Sequence, residues 1–139
     1  MMRPHLFDSH ALLAFFQKED GAETTRRILT RALNQNVDRL ICIINLGEII
    51  YMTKRRFGNA KKLEVLGHIH ELGFKVLSVS DTLVYKAAEI KAEYAISYAD
   101  CFAVACAIEH SAVIVTGDPE FNKVAHLAPI KWIGRSSAA

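Results

Sequence analysis

The chain has 139 residues, 51% of them hydrophobic, with 17 basic against 15 acidic side chains and a formal net charge of +2. That is the size of one domain able to bury a real core, and the charge is far below that of a dedicated polycationic nucleic-acid binder. No apolar stretch nears the ~20 residues that span a bilayer, and Asp8 interrupts what would be the apolar core of a signal peptide. A cytoplasmic, reducing location is expected. Cys42, Cys101 and Cys106 then read as buried reduced thiols, with zinc binding the weaker alternative because they form no Cys-x-x-Cys spacing.

In chain order, Leu6 and Phe7 end a first short strand, and Ser9 to Phe16 places Ala11, Leu12, Phe15 and Phe16 at helical spacing. Gln17 to Gly21 breaks that helix, and a second runs from about Ala22 to Leu33 with Arg26, Arg27 and Arg31 on it. Residues 39–44 form a nearly continuous apolar run, as in a strand buried on both faces of a parallel sheet. Asn45 is placed to cap the next helix, whose core stripe is Leu46, Ile49, Ile50 and Phe57. After Gly58 and Asn59 another helix reaches about Leu72 and stops at Gly73, making a helical hairpin. Phe74 to Val79 is a third strand, Asp81 caps a helix through about Tyr94, and Asp100 opens one through His110. Ala112 to Thr116 is a fourth strand, Asp118 and Pro119 start a short helical turn, and Ile130 to Ile133 is an edge strand. Residues 135–139 look like a loose tail, leaving a single domain over residues 1–134.

This alternation predicts a three-layer α/β/α domain around a mainly parallel sheet of four to five strands. Ligands of such sheets bind beyond the carboxyl ends of the strands. Asp8, Glu48, Asp100 and Asp118 all fall at that end, after apolar strand-like runs or at helix starts. Ten helical residues after Asp100 travel about 15 Å away, and a strand of five or six residues returns about 17–20 Å, so Asp118 can come back beside Asp100.

Each acid alone also has an ordinary explanation. Asp8, Asp100 and Asp118 are competent helix caps, and Glu48 is a favourable first-turn charge. Together they are costly, because like charges a few ångströms apart resist joint ionisation unless a cation neutralises them. Removing the four leaves 17 basic and 11 acidic residues, a balance that suits a polyanionic substrate. Glu48 lies about 200° around its helix from Leu46 at roughly 100° per residue, on the side of Met52 and Arg55, so it need not enter the core.

Four segments, in order, resemble the motifs of PIN-domain ribonucleases: Asp8-Ser9, Asn45-Leu46-Gly47-Glu48, Ser97 to Ala107 around Asp100-Cys101-Phe102-Ala103, and Thr116-Gly117-Asp118-Pro119-Glu120-Phe121. Length and order are similar to the VapC toxins of toxin–antitoxin pairs, with Asn45 standing where that family often has Ser or Thr. The resemblance implies a Mg²⁺-dependent, or Mn²⁺-dependent, endoribonuclease whose catalytic and metal-holding residues are Asp8, Glu48, Asp100 and Asp118. Asp8 and Asp100 would be direct ligands, while Ser9, Asn45 and Thr116 would steady carboxylates through hydrogen bonds. It also implies an RNA substrate, a VapB-like antitoxin and a homodimer. Lys54, Arg55 and Arg56 are candidates for RNA phosphates, although such runs also serve as solvated helix faces.

The rivals are a PIN scaffold that only binds RNA or protein, and a Mg²⁺-binding receiver-like signalling domain. The receiver needs an adjacent acid pair after the first strand and a late Lys, which Phe7-Asp8-Ser9 and Thr116-Gly117-Asp118 do not supply. A dehalogenase-type phosphatase needs Asp-x-Asp, and His10 occupies the third place.

Overall fold

The computed structural model describes residues 2–134, and the tail expected over residues 135–139 lies outside them. Five short apolar runs become strands of one wholly parallel sheet: β1 His5–Phe7, β2 Arg39–Cys42, β3 Lys75–Leu77, β4 Val113–Thr116 and β5 Ile130–Trp132. Their spatial order is β3-β2-β1-β4-β5. The chain therefore steps outward from β1 through β2 to β3, then crosses back to lay β4 on the other side of β1.

Parallel neighbours need crossover connections, and these cross right-handedly, so outward and returning steps put their helices on opposite faces. The outward steps carry α1 Ser9–Gln17, α2 Ala22–Asn34, α3 Ile43–Phe57 and α4 Asn59–Glu71. The return carries α5 Asp81–Glu93 and α6 Tyr98–His110. The two-residue strand period sorts the core accordingly. Phe7, Ile41 and Val115 pack with Leu12, Leu29, Ile49 and Val65 on one face. Leu6, Leu40, Cys42 and Ile114 pack with Leu83, Ala87 and α6 on the other.

From Cys101 to Ala107 every residue of α6 is buried. Its small Ala and Cys side chains let the helix be enclosed between the sheet and its neighbours, which an ordinary amphipathic helix could not tolerate. No helix among the described residues is long and apolar enough to cross a membrane.

Several expected boundaries move for local reasons. The second strand stops at Cys42, and Ile43 and Ile44 already belong to α3, so Asn45 sits in the first turn instead of capping it. A continuous apolar run cannot by itself distinguish a buried strand from a helix start. Ser97, not Asp100, caps α6, and Ser80, not Asp81, caps α5. Phe57 is 46% exposed at the end of α3, where the core stripe is instead completed by Thr53. The third strand is only three residues, and the last strand ends at Trp132.

Ile114 lies in a central strand and is fully buried. Ile114→Ala is expected to cost about 2–5 kcal/mol in denaturant unfolding, and a loss no larger than the roughly 0.5–1.5 kcal/mol of an Ile→Val trim would contradict this placement.

Candidate active site

β1 and β4 are sheet neighbours whose following segments leave toward different sides, which makes the gap at their carboxyl ends a topological switch point. Asp8 follows β1 directly. Its Oδ1 accepts the Ala11 N–H at 2.8 Å, capping α1, and its Oδ2 accepts the hydroxyl of Thr116 at the end of β4. Thr116 Oγ1 in turn accepts the Asp118 N–H at 3.1 Å. One buried threonine thus fastens the Asp8 carboxylate and the Asp118 backbone together. Asp118 also caps the 3-10 turn Pro119–Val124 by accepting the Glu120 N–H at 3.0 Å.

Glu48 is steadied from two elements, because Ser9 Oγ donates to its Oε1 at 2.9 Å and Asn45 Nδ2 donates to the same oxygen at 3.1 Å. Asn45 Nδ2 also reaches the Ala99 carbonyl at 3.3 Å, which ties α3 to the first turn of α6 beside Asp100. The helix shift that removed Asn45 from its expected cap therefore gives it this bridging position. Its Oδ1 is buried and has no hydrogen-bond partner among the described residues.

These groups surround an open cavity of about 1460 Å³, walled by Ser9, Glu48, Asp100 and Asp118, with Asp8 buried beneath at 1% exposure. None of the four acids forms an ion pair among the described residues. Burial drives the Asp8 carboxyl up to about 8 against its two hydrogen bonds, and the charges of Asp100 and Asp118 push the same way. Asp100 is raised to about 6, first by burial and then by Asp118, Glu48 and Glu120. Among the described residues no three His, Cys, Asp or Glu side chains close into a group that could hold an ion by themselves. The donors are nonetheless hard oxygens in want of positive charge, and Mg²⁺ keeps several waters while binding through one or two carboxylates. The residues present fit such an ion.

His10 and Glu120 are among the cavity residues that the sequence did not single out. His10 lies in the wall, packed so closely on Gly117 that a Cβ there would stand 2.9 Å from its Cε1. Glu120 also lines the cavity and pairs with Lys123. Each follows a motif acid by two residues, the only signal available beforehand. The basic run does not act as one stripe. Arg56 lines the cavity and binds Gln17 Oε1 at 2.9 Å, Arg55 stacks over Tyr51 at 5.4 Å, and Lys54 is exposed outside the cavity wall. Cys42, Cys101 and Cys106 are free and buried, as expected.

The sign of the pH dependence follows from the raised carboxyls. A group that binds its proton more tightly when folded contributes stability below its unfolded pKa and loses that contribution as pH rises through its folded pKa. Without divalent ions the melting temperature is expected to fall between about pH 4 and pH 8 through Asp8 and Asp100. Asp8→Asn should flatten that fall and melt higher than wild type at pH 8, measured by calorimetry in chelator. An unchanged pH profile in the variant would contradict the burial of a strained charge.

The fold has structural counterparts. A DNA-bound VapBC from Salmonella typhimurium superposes with TM-score 0.72 at 21% identity, covering 95% of this chain and 99% of that one. Mycobacterium tuberculosis VapC20, described as a sarcin-ricin loop cleaving toxin, gives 0.72 at 15% identity over 86% and 94%. FitAcB from Neisseria gonorrhoeae gives 0.68 at 19% over 93% and 97%. No curated protein matches the sequence significantly. Residues 6–127 match the PIN domain, and the chain belongs to that family.

Proposed function

We propose that this chain is a divalent-metal-dependent endoribonuclease and the toxin of a type II toxin–antitoxin pair. The observation that carries the reading is the gathering of Asp8, Glu48, Asp100 and Asp118 at the switch point, none of them in an ion pair among the described residues. A purely structural cluster would relieve its repulsion with Lys or Arg. Among the described residues no such pairing is formed, and a cation from solution would supply the relief.

Asp8 and Asp100 would hold a Mg²⁺ or Mn²⁺ ion, with Glu48 and Asp118 completing its surroundings. Such an ion supplies charge compensation for a phosphodiester and lowers the cost of deprotonating water. The chain's own contribution is positional. Thr116 holds one oxygen of Asp8, and Ser9 and Asn45 both donate to Oε1 of Glu48. Such supporting bonds commonly matter about 10–100-fold for affinity or activity. The toxin assignment draws on the VapBC and VapC likenesses, and it includes a VapB-like antitoxin and a homodimer. Tyr51, Met52, Phe57 and Leu63 on α3 and α4 leave apolar surface exposed for such partners.

The test is RNA cleavage by purified protein in Mg²⁺, Mn²⁺ or chelator. Wild type is expected to produce discrete ends only with metal, and Asp8→Asn or Asp100→Asn should reduce the rate by at least about a hundredfold while the fold persists. Near wild-type cleavage by either variant in Mg²⁺ would refute the site. Saturating Mg²⁺ at about 100 times its dissociation constant should add about 2.7 kcal/mol of stability, and Asp8→Asn should lose most of that gain.

A further inference from the structure

A second cavity, of about 260 Å³, opens between α2 and β5, and its wall includes His5, Thr24, Arg27, Ile28, Arg31 and Lys131. No Asp or Glu is among the described residues that line it. Arg27 and Arg31 are four apart on α2 and so share a face, where like charges repel. Neither they nor Lys131 form an ion pair among the described residues. The neighbouring acids are engaged elsewhere, Glu23 with Arg26 and Asp38 with Lys75.

His5 keeps this charge uncompensated. It is 4% exposed, and its Nδ1 lies 3.0 Å from the Arg3 carbonyl, a pure acceptor, so the hydrogen-bond network assigns the ring proton to Nδ1. Nε2 is then a lone pair, 3.3 Å from Lys131 Nζ, and accepts from that ammonium. Burial and the cations Lys131 and Arg31 hold the ring toward its neutral form. A buried neutral acceptor therefore orients the lysine without cancelling it.

The geometry points to a phosphate-binding site in this cavity, formed by Arg27, Arg31 and Lys131 with the Thr24 hydroxyl. Arg27 Nη2 donates to Thr24 Oγ1 at 3.3 Å, leaving the hydroxyl proton for an incoming oxygen. Guanidinium forks and an ammonium match a tetrahedral polyanion, which accepts from several donors at once. At this volume the space admits a phosphate group more readily than a whole drug-sized ligand, which needs roughly 300–1,000 Å³. Thr24 also lines the carboxylate cavity, so the two spaces meet at the start of α2. The phosphate can then belong to an RNA strand whose scissile bond lies at the carboxylates, a source that rests on the nuclease reading, or to a free phosphomonoester, which does not.

The full chain in chelator, where cleavage is blocked, is titrated with inorganic phosphate, adenosine monophosphate and a short single-stranded RNA while amide resonances are followed. Saturable shifts along Thr24 to Ala32 and at Lys131 are expected. Arg31→Gln and Lys131→Gln should abolish them, whereas the charge-keeping Arg31→Lys should retain them and so exclude a folding defect. If RNA is the source, each Gln variant should also reduce the slope of log affinity against log salt by about one unit. An unaltered RNA slope with phosphate and monophosphate binding lost would assign the site to a free phosphomonoester. Absence of phosphate shifts at these residues in wild type would overturn the proposal. Asp8→Asn should bind phosphate here as wild type does, so a failed nuclease reading and a failed phosphate site give different results.

Discussion

The rest of the site is arranged around one carboxyl almost wholly withdrawn from water. Asp8 is 1% exposed, and among the described residues two hydrogen bonds to its side chain, from Thr116 and the Ala11 N–H, offset the loss of hydration. Both donors exist because of the topology. β4 crosses back to lie beside β1, which brings Thr116 alongside, and α1 starts immediately after the strand, which presents its first-turn amide. Burying an ionisable carboxyl in this way is destabilising by comparison with an apolar side chain of similar volume. Retaining it, and surrounding it with three further carboxylates, makes sense when a soluble cation completes the site.

The same topology separates the charge of a nearly neutral chain. Acids converge at the carboxyl ends of β1 and β4, while basic residues of α2 and β5 collect around a smaller cavity along the adjoining face. The net charge of +2 conceals this. A polyanion attracted by the second region would arrive next to the first, since both meet at Thr24. The acidic region is balanced by a cation and the basic one by an anion.

Much of the layered fold was legible, because helix and strand periods differ and the apolar runs alternate with amphipathic ones. The position of Asp8, Glu48, Asp100 and Asp118 at one end of the sheet was also legible, from their places after strands and in first helical turns, although Asp8 itself is buried and does not line the cavity. Helix starts were harder. Ile43 and Ile44 look like strand, yet the chain turns into α3 after Cys42, and the caps at Ser97 and Ser80 compete with acids one to three residues later. Both serine and aspartate can accept the same orphan amides, so local chemistry does not rank them. His10 was invisible for a different reason. Its place in the wall depends on contact with Gly117, more than a hundred residues away in the chain, and no spacing rule encodes that proximity. The basic cavity was hidden likewise, since Arg27 and Arg31 acquire Lys131 only when β5 joins the sheet.

The most direct measurement is a carbon-detected titration of the Asp8 side-chain carboxyl, first without divalent ions and then with Mg²⁺. The account predicts a midpoint near 8 in the metal-free protein, moving to distinctly lower pH when Mg²⁺ is present. An ordinary carboxylate midpoint of about 4, indifferent to Mg²⁺, would contradict it.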